Sequence, residues 1–415
     1  MSFLPTEQVR CPSSANPPID YVVHPAGDTI IILRDYNAPF APIVTQRPAV
    51  HITSDYPSYQ ALAAAGHRQV AGAPGQVLIA APVTPPPYSP EPVRFQVSSQ
   101  HLLNASRVFA NEVHNAIAMS GYGYVHFNNH PIEIPARGFD VAAYLTLLRI
   151  IHGEPGFFSV NTGPGIEEIA KLALLADFHG CRDAVSAWVN PRITRLSNDE
   201  MHYGRDLILF IYVAYVFQRP RIFNRMTRIA IMEAPGLIPS LGLPFPTEIM
   251  VALNDARISA IRGLINLVHH ARREIFHAGE REVDDEAGTK SDGPKCSFQC
   301  RAFTLGCLEL NMAQAGLLSG TEASHPPYEG MAYFELRRTI QNWKCSGTDK
   351  LTHTCKVHQQ QAARGLGSNL PSSILHGYYA DFTWTVQGLN LRKFVGNIPP
   401  RVGVTLMARA LAKRG

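Results

Sequence analysis

The stretch GFDVAAYLTLLRIIHG, residues Gly138 to Gly153, followed at Ile166 to Val189 by IEEIAKLALLADFHGCRDAVSAWV, decides how the chain is read. In the first segment Phe139, Val141, Leu145, Leu148 and Ile151 recur at helical spacing and stop at Gly153, the pattern of an amphipathic helix. In the second, Ile166, Ile169, Leu172, Ala173 and Ala176 mark another helix. Gly180 closes it in the left-handed position that ends many helices, and Ala184, Val185 and Trp188 begin a third. Working outward, Tyr21 to Leu33 (YVVHPAGDTIIIL) predicts two short β-runs around a Pro-Ala-Gly-Asp turn, with Ile30 to Leu33 as a buried strand. RFQV, from Arg94, predicts a short strand. Ser98 or Ser99 then offers an N-cap oxygen to a helix beginning at Gln100, and a second helix follows at Ser106. FNNHPIEI, Phe127 to Ile134, alternates as a strand does. Short strands alternating with helix pairs give an α+β class.

Around this region the chain changes character. Residues 1–18 are rich in Ser, Pro and Asn and predict a disordered leader; residues 37–92 form a Pro-rich flexible insertion ending in TPPPYSPEP, a composition that can serve as a polyproline ligand or as a passive loop. The first folded unit therefore spans 19–190. A helical extension covers 191–282, including the apolar run Leu207 to Phe217 (LILFIYVAYVF). A long stripe follows: Ile249, Leu253, Ala256, Ala260, Leu264, Leu267, Ala271 and Ile275. An acidic linker occupies 283–294, and a helical unit bearing Cys and His covers 295–415.

Composition narrows the function classes. With 46% hydrophobic and 17% charged residues the 415-residue chain has material for several cores. A formal net charge of +4, with Lys and Arg scattered, does not imply nucleic acid. The run Leu207 to Phe217 is too short to span a bilayer, which needs about 20 residues, so a buried helix and no membrane partner are expected. Seven cysteines, an odd number, and an N-terminus without a basic-then-apolar leader predict reduced thiols in an intracellular protein, cytoplasmic or nuclear.

Taken in order, GDTIIIL (Gly27 to Leu33), FQVSSQHLLNASRVFANEV (Phe95 to Val113), GFDVAAYLTLLRIIHG and IEEIAKLALLADFHGCRDAVSAWV resemble the fungal branch of the BTB/POZ family. The similarity rests on five features: a Gly-Asp before the first core strand, a Phe-x-Val-x-Ser junction, a Ser-x-Val-Phe helix start, a helix ending in Ile-His-Gly, and Leu-Ala-Asp-x-x-x-Cys. It extends into RDLILFIYVAYVF and RIFNRMTRIAIMEA. The resemblance implies a small sheet flanked by helical hairpins, followed by a mainly helical extension, and a role in oligomerisation and partner recruitment without catalysis. The partners it implies are proteins, among them a second copy of the chain. The pattern departs where ubiquitin-ligase adaptors of the family bind cullin: the stretch is Val113, His114, Asn115, Ala116, and Glu112 stands one or two residues early, which counts against a cullin partner.

For catalysis the sequence offers no GxSxG, Walker A or HExxH pattern. Gly163-Pro-Gly165 and Gly365-Leu-Gly367 lack the third glycine of a dinucleotide fingerprint, and the pairs Glu167-Glu168 and Asp284-Asp285 are expected to be solvated. His101 is expected to be a structural helix residue. The remaining chemical candidate is C-terminal: Cys296, Cys300, Cys355 and His358 could supply four tetrahedral donors to a structural zinc, while Cys307, in the apolar run FTLGCLEL, reads as a core thiol. No cofactor is otherwise expected. The alternatives to an interaction module are a transcription- or chromatin-associated regulator with a zinc-stabilised C-terminal unit, a cullin adaptor, or a hydrolase or transferase in the helical half, which would need a deep pocket lined by a His with a carboxylate partner.

Overall fold

A computed structural model describes residues 18–42, 91–119, 131–154, 163–277, 298–318, 325–343 and 386–395. The described residues are mixed α/β, mostly helical, with a small four-stranded sheet. The described residues fall into two compact units, one built from 18–40 and 91–195, the other from 41–42 and 196–395. In the first, β1 (Tyr21–Val22), β2 (Thr29–Arg34), β3 (Val93–Val97) and β4 (Ile132–Arg137) lie in the order β1-β3-β2-β4. Its helices are α1 (Ser99–Ala105), α2 (Arg107–Met119), α3 (Val141–Ile151), α4 (Ile166–Phe178) and α5 (Arg182–Leu196), the last crossing the boundary by one residue.

The two β-runs of Tyr21 to Leu33 both form but do not pair with each other. Strand β3 comes between them, parallel to β1 and antiparallel to β2, while β2 runs parallel to β4. Thr29 to Leu33 are buried throughout, as expected of an interior strand covered on both faces. Strand β4 alternates buried and exposed residues and begins at Ile132, so the strand expected over Phe127 to Ile134 is displaced toward its C-terminus, with 127–130 outside the described residues. Pro135 sits within it, tolerated because β4 is an edge strand whose missing N–H need not enter a ladder. Helices α1 with α2, and α3 with α4, pack as pairs. Gly180 ends α4 at φ +65 as the sequence predicts.

The junction between β3 and α1 is built differently from the local cap expected there. Ser98 is the N-cap residue, but its side chain makes no capping bond. The carboxylate of Asp28, far away in sequence, accepts from the Ser99 backbone N–H at 2.7 Å and from its hydroxyl at 2.6 Å. Gly27 precedes it because a Cβ there would lie 2.6 Å from the Val97 carbonyl oxygen. The Gly-Asp pair thus seats β2 against the end of β3 and caps the next helix. Ser106 behaves as expected: its hydroxyl oxygen accepts from Phe109 N–H at 3.1 Å.

The second unit is helical: α6 (Arg205–Val216), α7 (Pro220–Glu233), α8 (Thr247–His277), α9 (Phe298–Gln314), α10 (Tyr333–Gln341) and the short α11 (Arg392–Val395). Every residue from Leu207 to Val216 is buried, so the apolar run is a core helix; among the described residues no helix is long and apolar enough to cross a membrane. One cluster joins Ile258, Ile261, Leu264, Val268 and Ala271 of α8 to Leu308 and Met312 of α9 and to Leu336 and Ile340 of α10. At about 1.5–3 kcal/mol per fully buried large apolar side chain, this layer supplies the driving force that holds the three helices together.

The stripe on α8 is wider than the sequence suggests. Ala256 and Ala260 are only partly buried, whereas Asn254 and Arg257 have no exposure. The Arg257 guanidinium donates to the carbonyls of Ala234 (2.9 Å), Pro327 (2.7 Å), Tyr328 (2.9 Å) and Met331 (2.7 Å), tying α8 to the loops on either side. Asn254 accepts from Ile238 N–H at 2.8 Å and donates to the Ile238 and Met250 carbonyls. These bonds offset the desolvation of a buried amide and a buried cation.

Candidate functional site

Strand β1 is the outermost strand of the sheet on one side. Its inner side is held by Val23 N–H and His24 N–H donating to the Gln96 carbonyl, and by an exchange in which Asp20 N–H reaches Arg94 O (3.1 Å) while Arg94 N–H reaches the Asp20 carboxylate (2.8 Å). Tyr21 stacks on Phe95 with centroids 5.3 Å apart. Ile19, just before the strand, and Val22, within it, are 39% and 57% exposed. The opposite edge, β4, is blunted by Pro135 and by the exposed Glu133 and Arg137, devices that discourage strand pairing. Among the described residues, apolar exposure beside an edge strand thus occurs on the β1 side of the sheet.

Behind the sheet lies a polar set that the sequence analysis did not pick out. His179, which follows α4, is 2% exposed and stacks on Phe109 at 4.2 Å. Its Nε2 is 3.1 Å from the Tyr144 hydroxyl, and its Nδ1 faces the Glu112 carboxylate at 3.6 Å, an electrostatic contact longer than a hydrogen bond. A Tyr144 O–H donating to Nε2 leaves the ring proton on Nδ1, toward Glu112. Burial, then the charge of Glu112 and the Cys181 thiol, push the Tyr144 hydroxyl far above its ordinary value. Burial likewise pushes the Cys181 thiol up to about 12, so it is a packing residue rather than a nucleophile.

Carboxylate, imidazole and hydroxyl are the ingredients of acid–base chemistry, yet Tyr144 has no exposure and His179 almost none. No substrate reaches them in this conformation. Glu112 turns inward toward His179, while Val113 is buried and His114 and Asn115 are exposed. The nearest acid to the cullin-type pattern is therefore committed to the core.

A second group of imidazoles joins three elements at the β3–α1 junction. His24 follows β1, His101 lies on α1 and His152 caps α3, with centroid separations of 4.6 Å (101 to 152), 5.5 Å (24 to 101) and 6.0 Å (24 to 152). His101 stands on α1 between these two ring neighbours. His152 Nε2 accepts from Ser98 N–H at 3.0 Å and Nδ1 donates to the Leu148 carbonyl at 2.7 Å, which fixes a neutral tautomer.

Among the zinc candidates, Cys296, Cys355 and His358 lie outside the described residues, and Cys300 falls on α9 with only its backbone described. Cys307 is half-buried on the same helix, less enclosed than a core thiol. Among the described residues no three His, Cys, Asp or Glu side chains form a metal-holding group. In the second unit an open pocket of about 450 Å³ is lined by Pro220, Arg221, Asn224, Asn390 and Arg392, which include neither imidazole nor carboxylate. Glu167, expected to be solvated, keeps 38% of its side chain exposed and shares Lys171 with Asp140, both at 3.0 Å. Gly163-Pro-Gly165 leads into α4, where the Pro164 carbonyl accepts from Arg192.

No family model matches the chain, and neither the curated proteins nor the solved structures contain a match to it.

Proposed function

We propose that the protein is a protein-interaction module of the BTB/POZ type, working by binding rather than catalysis, and that its first unit self-associates through the β1 edge. The observation that carries this reading is the β1 side of the sheet, where Ile19 and Val22 stand exposed beside a two-residue strand. The burial of Tyr144 and His179 supports it from the other direction, since the groups best suited to proton transfer are spent on the core. The paired helices α1–α2 and α3–α4 around a small sheet agree with the sequence resemblance.

The test uses light scattering on the full chain with Val22→Asp, and Met119→Asp as a control at another exposed apolar residue, 87% exposed at the end of α2. Val22→Asp is expected to weaken self-association by about tenfold or more, equivalent to about 1.4 kcal/mol, while Met119→Asp leaves it unchanged. Equal behaviour of the two variants would refute the β1 edge as the contact.

A further inference from the structure

The amides of Ser98 and Ser99, consecutive in the chain, are both held by side chains that can take up a proton. Ser98 N–H is bound by His152 Nε2, and Ser99 N–H by the Asp28 carboxylate. Between them they fix the end of β3 and the start of α1 to α3 on one side and to β2 on the other. We propose that this junction is an acid-opened clasp, released in two steps as first His152 and then Asp28 is protonated.

The geometry explains why His152 cannot simply accept a proton in place. Its Nδ1 already donates to Leu148, so protonating Nε2 removes the only lone pair facing Ser98 and sets one N–H donor against another. The titratable groups around it are His24 from the turn after β1, His101 from α1, Asp28 at the start of β2, and Glu154, which is itself paired with Arg149 at 3.2 Å. The Nδ1 atoms of His24 and His101 are buried without a hydrogen-bond partner among the described residues, and both rings disfavour a positive charge on His152. Burial lowers the pKa of His152 first; the Leu148 bond and Glu154 pull upward, and His101 and His24 push down, with a net value below the ordinary 6.5. For Asp28, burial raises the pKa, but the bonds from Ser99 and Thr29 prevail and hold it below the ordinary 3.8.

The signs follow from linkage. When the clasp opens, His152 regains its ordinary affinity for protons, so acid favours the open form below pH 6.5 until the closed-state imidazole itself titrates. Within that window the opening constant rises about tenfold per pH unit. Asp28 stabilises the closed form above 3.8 and loses that contribution as pH falls through its depressed value.

Amide hydrogen exchange on the full chain reads this directly. Base-catalysed exchange slows about tenfold per unit of acidification, so the opening of Ser98 cancels it, and its observed rate stays flat below 6.5. Core amides such as Leu147, which lack such an acceptor, slow normally. In His152→Gln, whose side chain accepts and donates without titrating, Ser98 is expected to regain the ordinary slope while the acid release of Ser99 persists; Asp28→Asn removes the latter. If His152→Gln does not fold, an NMR titration of His152 in the unaltered protein decides. Titration below 6.5 together with loss of the Ser98 amide signal supports the clasp. An ordinary exchange slope at Ser98 in the unaltered chain, or His152 titrating at or above 6.5, overturns it.

Discussion

The two units anchor their chain segments with different polar groups. In the first, the polar anchors whose proton occupancy can change are the half-buried His152 and the carboxylates Asp28 and Asp140. In the second, the main anchors are Arg257 and Asn254, one permanently charged and the other permanently neutral in the range where proteins stay folded. Several helix–loop contacts of the second unit therefore ignore pH, while the β3–α1 junction and the start of α3 in the first are held by groups that titrate. Among the described residues of the second unit, His269 is the group lowered in the acid range, by burial and then by Arg272 and Arg273. The first unit adds to His152 the carboxylates Asp28 and Asp140, whose depressed values mean stability lost as pH falls below 3.8. Asp140 is raised by burial but lowered further by the Ala143 N–H and by Lys171.

The largest effect should come from Arg257→Met, which takes the guanidinium from four carbonyls, of which, among the described residues, only that of Tyr328 keeps another donor, the Met331 N–H at 3.2 Å. A loss of about 3–5 kcal/mol is expected in urea unfolding followed by exchange of α8 amides. The loss should be the same at about pH 5 as at about pH 7, because arginine does not titrate there. A strongly pH-dependent loss would break the contrast between the units. Asn254→Leu ranks next: three bonds to Ile238 and Met250 disappear, and a destabilisation of about 1–3 kcal/mol should appear in the same experiment.

Much of the architecture is legible in the chain. Ile30 to Leu33, the stripe from Phe139 to Ile151, the run Leu207 to Phe217 and the glycine after α4 each carry a local signal, either a period or a backbone requirement, and each forms the element that signal predicts. What escapes is non-local. Asp28 caps a helix from the neighbouring strand, 71 residues away in the chain, so the local signal for a cap is confined to Ser98 and Ser99. Arg257 looks like one of the charges between apolar residues of α8 because its partners lie in loops around Ala234 and Pro327. Strand β1 pairs with β3 across the long Pro-rich stretch, so its position as the outer strand cannot be inferred from its two residues. His179 and Glu112 stand in quoted motifs, yet their meeting depends on how α2 lies beside the end of α4.

A smaller effect sharpens the contrast from the side of the first unit. Tyr144→Phe keeps the ring packing on Phe95 and removes only the hydroxyl beside His179, so a loss of about 0.5–1.5 kcal/mol is expected from thermal unfolding. A change much larger than this would mean that the hydroxyl organises more of the core than one hydrogen bond does.

The most direct test of the central claim is sedimentation equilibrium of the full chain across a concentration series near neutral pH. Self-association through the β1 edge predicts a reversible shift from monomer to dimer mass. A chain that remains monomeric at about 100 µM, where a contact worth about 5.5 kcal/mol is half-formed, would contradict it.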